Sequence, residues 1–188
     1  LLIFVSSGRV FTVNPKDLPS GKASPKNFIN FIDASIQDKV IKLLPYKKNL
    51  KCVVASKFGK GFVADLDNIL TNQSKGKKLF NLKNNDKLIK VCIMDKEYIS
   101  CINSLGKLLI FKTNTLPILQ KGGGVQMQKI NEDSYLSDIM LIDINDPLIW
   151  KKGSIIKKEN KLDFWIGKRS QSGKKVPRGF NKNLKFGF

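Results

Sequence analysis

Apolar residues along this chain come in runs of four to six, rich in Val, Ile and Phe, with Gly, Asn, Asp and Pro between them at short intervals. No stretch sustains a helical three-to-four residue spacing, so the pattern predicts strands joined by tight turns. Four segments align on a glycine: FVSSGRVFTVNPKDLP from Phe4, VASKFGKGFVADLDNIL from Val54, INSLGKLLIFKTNTLP from Ile102 and IWKKGSIIKKENKLDF from Ile149. The anchors Gly8, Gly59, Gly106 and Gly153 are separated by 51, 47 and 47 residues. Each follows one apolar run and precedes another. The spacing predicts a hairpin in which glycine supplies the positive φ of the turn.

A second block recurs 48 residues apart, Asp38-Lys-Val-Ile-Lys-Leu-Leu and Asp86-Lys-Leu-Ile-Lys-Val-Cys. Leu18-Pro19, Ile69-Leu70 and Leu116-Pro117 stand ten and eleven residues past the first three anchors. The prolines are expected to close the second strand, since Pro cannot donate to a ladder. A unit of this size with several short strands matches one propeller-type blade, and one blade cannot bury both its faces alone. The predicted fold is therefore all-β: about four repeated blades of four-stranded antiparallel sheet, over approximately 1–50, 51–98, 99–148 and 149–188.

Charge changes the picture most. The chain carries 34 Lys and Arg against 15 Asp and Glu, a formal net charge of +19. Codon drift in an AT-rich genome raises Lys, but it raises Asp and Glu as well, so it does not produce a two-to-one imbalance. A polyanionic partner accounts for the excess, with phosphate neutralisation and counterion release supplying affinity; a merely soluble basic surface is the bland alternative. No apolar run approaches a transmembrane length, and neither a secretory leader nor a basic amphipathic helix is visible. A cytoplasmic protein without integral membrane association is expected. The chain opens inside an apolar run at Leu1, as a fragment of a longer polypeptide would.

The cations recur with the repeat. Arg9, Lys60 and Lys107 directly follow the first three anchors, while Ser154 holds that place in the fourth unit. Blade packing is expected to bring the three to equivalent places along one rim. Each of the first three units then carries a Gly/Lys loop: Ser20-Gly-Lys-Ala with Lys22 and, beyond it, Lys26; Ser74-Lys-Gly-Lys-Lys with Lys75, Lys77 and Lys78; and Gln120-Lys-Gly-Gly-Gly with Lys121. Glycine lets backbone N–H groups approach a phosphate and lysine neutralises it. For any one loop a solvated, flexible reading is as good; threefold recurrence favours binding. Residues 151–188 add twelve Lys and Arg, among them Lys168, Arg169, Lys174, Lys175 and Arg178, against Glu159 and Asp163 alone. The stretch around Asp138, Asp143 and Asp146 is locally acidic and is expected to face away from a polyanion. Contacts of this kind read the backbone of a duplex and bend it, with little sequence preference.

Several chemistries drop out. There is no His, which removes the commonest general base and the usual triads. Cys52, Cys92 and Cys101 lack Cys-x-x-Cys spacing and lie in apolar runs, so they read as buried reduced thiols. Phe11, Phe62 and Phe111, with Trp150 and Trp165, read as packing residues rather than base-stacking platforms. No cofactor is expected in this domain.

These repeats resemble the C-terminal β-pinwheel, a broken propeller, of type IIA topoisomerase A subunits, over essentially the whole chain. The stretch VVASKFGKGFVADLDNILTNQSKGKKLFNL looks like an internal blade of that family. The end, DFWIGKRSQSGKKVPRGFNKNLKFG, looks like the C-terminus of its alphaproteobacterial topoisomerase IV branch. The gyrase branch carries a box of the form Gln-Arg-Arg-Gly-Gly-Lys-Gly. The nearest match here, Gln120 to Gln126, keeps the Gln and a glycine pair but loses most of the basic pattern, which favours the topoisomerase IV branch over a gyrase wrapping domain.

The resemblance implies a domain that binds, bends and steers double-stranded DNA toward a cleavage core for decatenation and relaxation during chromosome segregation, with a strand exchanged between neighbouring blades. It implies a nucleoid-associated A2B2 holoenzyme: a dimer of A subunits with an ATPase B subunit, using Mg²⁺ and ATP elsewhere. It also implies that the breakage-reunion region, with its arginine-flanked tyrosine, lies outside this chain, and it leaves room for a further blade before Leu1. Tyr46, Tyr98 and Tyr135 lack that arginine context and read as structural. From a different class, a basic propeller binding an acidic protein is the competing expectation; a stand-alone enzyme finds no support in the residues.

Overall fold

The computed structural model describes residues 1–18 and 32–187. Lys22, Lys26, Pro19 and the Ser20-Gly-Lys-Ala loop lie outside the described residues. Among those described, fourteen strands form three four-stranded antiparallel sheets and one two-stranded hairpin. The first sheet contains β1 (Leu2–Val5), β2 (Arg9–Thr12) and β3 (Val40–Leu44). The second contains β4 (Lys51–Ser56), β5 (Lys60–Asp65) and β7 (Leu88–Ile93). The third contains β8 (Tyr98–Asn103), β9 (Lys107–Lys112) and β11 (Leu136–Ile142).

The fourth strand of each sheet comes from the next unit along the chain. Thus β6 (Lys77–Lys78) pairs with β2, β10 (Val125–Gln126) with β5, and β14 (Lys174–Lys175) with β9. Each of these sheets is therefore completed only by residues of the following unit, and neighbouring units are tied together by backbone hydrogen bonds as well as by side chains.

The hairpins explain the anchors. In the first three units the turn has three residues and ends on a glycine in the left-handed region, with φ +79° at Gly8, +76° at Gly59 and +67° at Gly106. The N–H of each donates to the carbonyl three residues back, as in a type I turn closed by a glycine bulge. Gly8 has a second duty. Its carbonyl accepts from Leu79 and Phe80 of the next unit, and a Cβ there would lie 2.8 Å from the Phe80 carbonyl oxygen. The Gly59 and Gly106 carbonyls likewise take the N–H groups of Met127 and Val176. One residue thus sets the turn and receives the exchanged strand.

Two sequence expectations are corrected. The second strand ends well before the Leu-Pro pair. In the first unit Asn14 caps a 3-10 turn that opens on Pro15, accepting from the Lys16 N–H; in the second, Asp65 caps a helical turn, Leu66–Ile69, accepting from Asp67. A side-chain oxygen at the N-cap supplies the stop expected of proline. The Pro117 carbonyl instead accepts from Val63 of the neighbouring sheet. In addition, the fourth unit forms only the pair β12 (Leu148–Lys152) and β13 (Ile155–Glu159): like the units before it, it gives a short strand, β14, to the preceding sheet, but among the described residues no third or exchanged strand joins its own hairpin. Its two-residue loop starts on Gly153 at φ +63°, where a Cβ would meet nothing within 4 Å.

The core lies between the sheets. Along β4, Cys52 and Val54 face the first sheet with Phe62, Phe4 and Leu2, while Val53 and Ala55 face the third with Ile99, Cys101 and Phe111. Both faces are covered, which is why these strands read as continuous apolar runs rather than alternating ones. Phe11, Phe62, Phe111, Trp150 and Trp165 are all buried, and Phe62 meets Phe80 edge-on at 5.0 Å. Burial pushes the Cys52 thiol up to about 12 and Cys92 to about 11, and it raises Cys101 as well. All three thiols should resist alkylation at pH 8 in the native chain and react together in denaturant, as counted by mass spectrometry. An acid raised on folding stabilises most below its ordinary pKa of 9, so this contribution is lost as pH climbs from there toward 12.

Candidate nucleic-acid interface

The inner strands β3, β7 and β11 pack side by side, and the exchanged strands lie at the opposite, outer edge of each sheet. Where an exchanged strand crosses a hairpin, the cation after the anchor glycine meets it directly. Arg9 stands opposite Lys78, Lys107 opposite Lys175, and Lys60 opposite Gln126. Directly opposed residues of an antiparallel pair project on the same face, so two of the three crossings set like charges side by side, an arrangement that costs stability in isolation.

No carboxylate among the described residues relieves this. The lysines in ion pairs there are Lys90, Lys96 and Lys112, none of them a candidate. Lys75, Lys78, Lys107, Lys121, Lys168, Lys174, Lys175 and Arg178 are exposed. Lys174 places its Nζ 4.3 Å from the Phe164 ring centroid.

Three candidates are anchored within the fold. Arg9 donates from Nη1 to the Lys75 and Gly76 carbonyls at 2.9 and 3.0 Å, clamping the loop before β6. Lys77 donates to the Asn68 carbonyl at 2.7 Å. Arg169 donates to the Gln126 carbonyl at 2.7 Å, joining the fourth unit to the Lys60 crossing. The first and third crossings thus gather Arg9 with Lys75 and Lys78, and Lys107 with Lys174 and Lys175. The residue across the ladder from Lys60 is the neutral Gln126, and neither Lys121 nor Arg178 lies on a strand of any crossing.

Two of the loop glycines do something other than expected. Gly76 and Gly124, and with them Gly173 of the C-terminal segment, each have positive φ, and each lies against the strand that receives the exchange. A Cβ on Gly124 would lie 2.9 Å from the Gly61 carbonyl oxygen, and one on Gly76 would lie 2.8 Å from that of Val10. These glycines permit the crossing itself, so the Gly/Lys composition of the loops has a structural cause alongside any electrostatic one.

The acidic stretch proves to be internally neutralised. Asp143 and Asp146 hold Lys96 at 2.8 and 3.2 Å; those hydrogen bonds draw the Asp143 carboxyl below its ordinary range and raise Lys96. Asp138 is buried on β11 itself, bound to Lys90 at 2.8 Å and to the Phe186 N–H at 3.0 Å. Lys42, Lys90 and Asp138 fall 48 residues apart, so the repeat places a cation, a cation and an anion in one register; that spacing is the signal by which the pair could have been found. Asp138→Ala should cost about 3 kcal/mol in urea unfolding, because it removes a partly buried ion pair and the acceptor of the Phe186 N–H. Among the described residues no group of three His, Cys, Asp or Glu could hold a metal ion, and no helix is long and apolar enough to cross a membrane.

Comparison with known proteins agrees with this architecture. The family model for the DNA gyrase C-terminal domain, beta-propeller, matches residues 51–91 and 97–143. The A subunit of DNA topoisomerase 4 from Rickettsia bellii is 31% identical over 186 residues, and its counterpart from Caulobacter vibrioides is 30% identical over 187; each match covers 99% of this chain. The chain spans about a quarter of the length of these relatives, 25% and 24%. The E. coli ParC C-terminal domain superposes with a TM-score of 0.81 at 22% identity, over 96% of this chain and 77% of that one. Strand-exchanged sheets, the matched family model and likeness along nearly the whole chain lead to one conclusion: this chain belongs to the C-terminal β-propeller family of gyrase and topoisomerase IV A subunits.

Proposed function

We propose that this chain binds duplex DNA along the outer edge of its sheets and bends it, as the accessory domain of a topoisomerase IV A subunit. The observation that carries the reading is the pair of opposed cations at two strand crossings, Arg9 with Lys78 and Lys107 with Lys175, with no carboxylate paired to them among the described residues. A fold that tolerates this repulsion gains when phosphates settle between the pairs. The crossings recur with the repeat, so a duplex touching successive ones follows a curved path, and backbone contacts of this kind carry little sequence information.

The four units, 1–50, 51–98, 99–148 and 149–188, serve as successive contact points. Cleavage, Mg²⁺ and ATP belong to other parts of an A2B2 assembly with the ATPase partner, acting in the cytoplasm at the nucleoid. The degraded glycine box from Gln120 to Gln126 supports the topoisomerase IV branch over gyrase-type wrapping. A gel shift with plain linear duplex of mixed sequence tests the reading. Binding is expected at micromolar protein or below, and about five phosphate contacts give a log–log salt slope near −4.5. Binding indifferent to salt overturns it, and absence of a shift overturns it in favour of an acidic protein partner.

A further inference from the structure

Where the inner strands begin, a cavity of about 390 Å³ opens between the first three units and the C-terminal segment. Its lining combines the apolar Ile41, Leu88, Ile89 and Leu136 with Lys39, Lys57, Lys87 and Lys185. These four lysines come from four different places in the chain, and none forms an ion pair among the described residues. The nearby acids are engaged by neighbouring groups: Asp38 binds the hydroxyls of Ser6 and Ser7 and the Ser7 N–H, and Asp86 binds the N–H groups of Phe58 and Lys87. No carboxylate among the described residues lines the cavity.

The walls are held rigidly. The Leu88 N–H donates to the Ser6 carbonyl and the Leu136 N–H to the Lys57 carbonyl, both at 2.9 Å or less, so the turns of the first two units are each pinned to the inner strand of the next. Lys57 is steadied over the Tyr135 ring at 5.6 Å. At Lys90, farther along the same inner strand, the recurrent cation meets Asp138 and its charge is answered inside the protein. At the cavity the recurrent cations Lys39 and Lys87, also 48 residues apart, have no such answer.

From this asymmetry we infer a second anion site, distinct from the outer edge, that takes a compact ligand carrying several phosphate oxygens. The size suits a small molecule rather than a protein segment, and four lysines with no acid among the described lining residues match the charge of an oligophosphate. The phosphates could come from a free oligophosphate or from DNA entering the cavity; the recognising chemistry is the same.

Pyrophosphate is the probe, titrated calorimetrically into the 188-residue chain at low ionic strength. Saturable binding at one site is expected, weakened by about tenfold or more in the K39Q/K87Q variant, which loses two charge-assisted contacts. The K47Q/K48Q variant loses equal charge outside the cavity and is expected to bind as the parent does. Lys185→Gln, on a separate segment, gives an independent reading should the double variant melt early. Saturating linear duplex in a second arm tells the sources apart: displacement of pyrophosphate assigns the site to DNA phosphates, and simultaneous binding assigns it to a free oligophosphate. No saturable binding to the parent chain, or equal weakening in the two double variants, overturns the proposal, and neither result bears on DNA binding at the outer edge.

Discussion

Replacing Lys78 and Lys175 together by glutamate should lower affinity for linear duplex by about a hundredfold at low salt and flatten the salt slope by about two. It should do so without unfolding the chain. Each glutamate would stand opposite a remaining cation, Arg9 or Lys107, turning a repulsive cross-strand pair into an attractive one. The melting temperature is therefore expected to hold or rise slightly while binding collapses. Opposite movement of stability and affinity is the signature of cations kept for a ligand. Were these lysines merely solvated, stability would still rise but affinity would not change; were they structural, both would fall. Fluorescence anisotropy at several salt concentrations, beside a thermal melt, separates the three cases.

Gly173→Ala should be the most damaging small substitution, at about 2–4 kcal/mol. The residue has φ +82°, and its new Cβ would run into the Leu108 carbonyl, which the β9 ladder holds in place. Relief requires β14 to leave β9, and that carries away Lys174 and Lys175 with it. The Trp165 indole N–H donates to the Lys175 carbonyl at 2.7 Å, so detachment exposes a largely buried ring and should shift its emission to the red. Urea unfolding followed by fluorescence reads both effects. Gly153→Ala serves as the comparison: its φ is also positive, but no atom crowds it, so it should lose only the conformational part, about 1 kcal/mol.

The contrast between those two glycines marks where local reading ends. Gly8, Gly59 and Gly106 announce hairpins because the positive φ of a turn is a local demand, satisfied within a few residues. Gly76 and Gly124 look like phosphate-loop glycines because their cause, like that of Gly173, lies in another unit, in a backbone that approaches from about 63 to 66 residues away. Arg9 and Arg169 read as free cations for the same reason: their acceptors are carbonyls 66 and 43 residues distant. Asp138 reads only as part of a locally acidic stretch, although its partner Lys90 occupies the same register one repeat earlier. The repeat holds that information, since equal spacing in a stacked array places equivalent residues side by side.

By itself the sequence determined the all-β class, the unit length, the positions of the hairpins and the surplus of positive charge. Apolar periodicity, turn chemistry and net charge are properties of short windows or simple sums, so they survive without knowledge of what packs where. Only the tertiary structure decided which strand completes which sheet, which cations face one another and which are tied down, and that two recurrent lysines border a cavity with no acid among its described lining residues. Those outcomes depend on pairing between units, where the identity of a neighbour follows from the path of the chain through space.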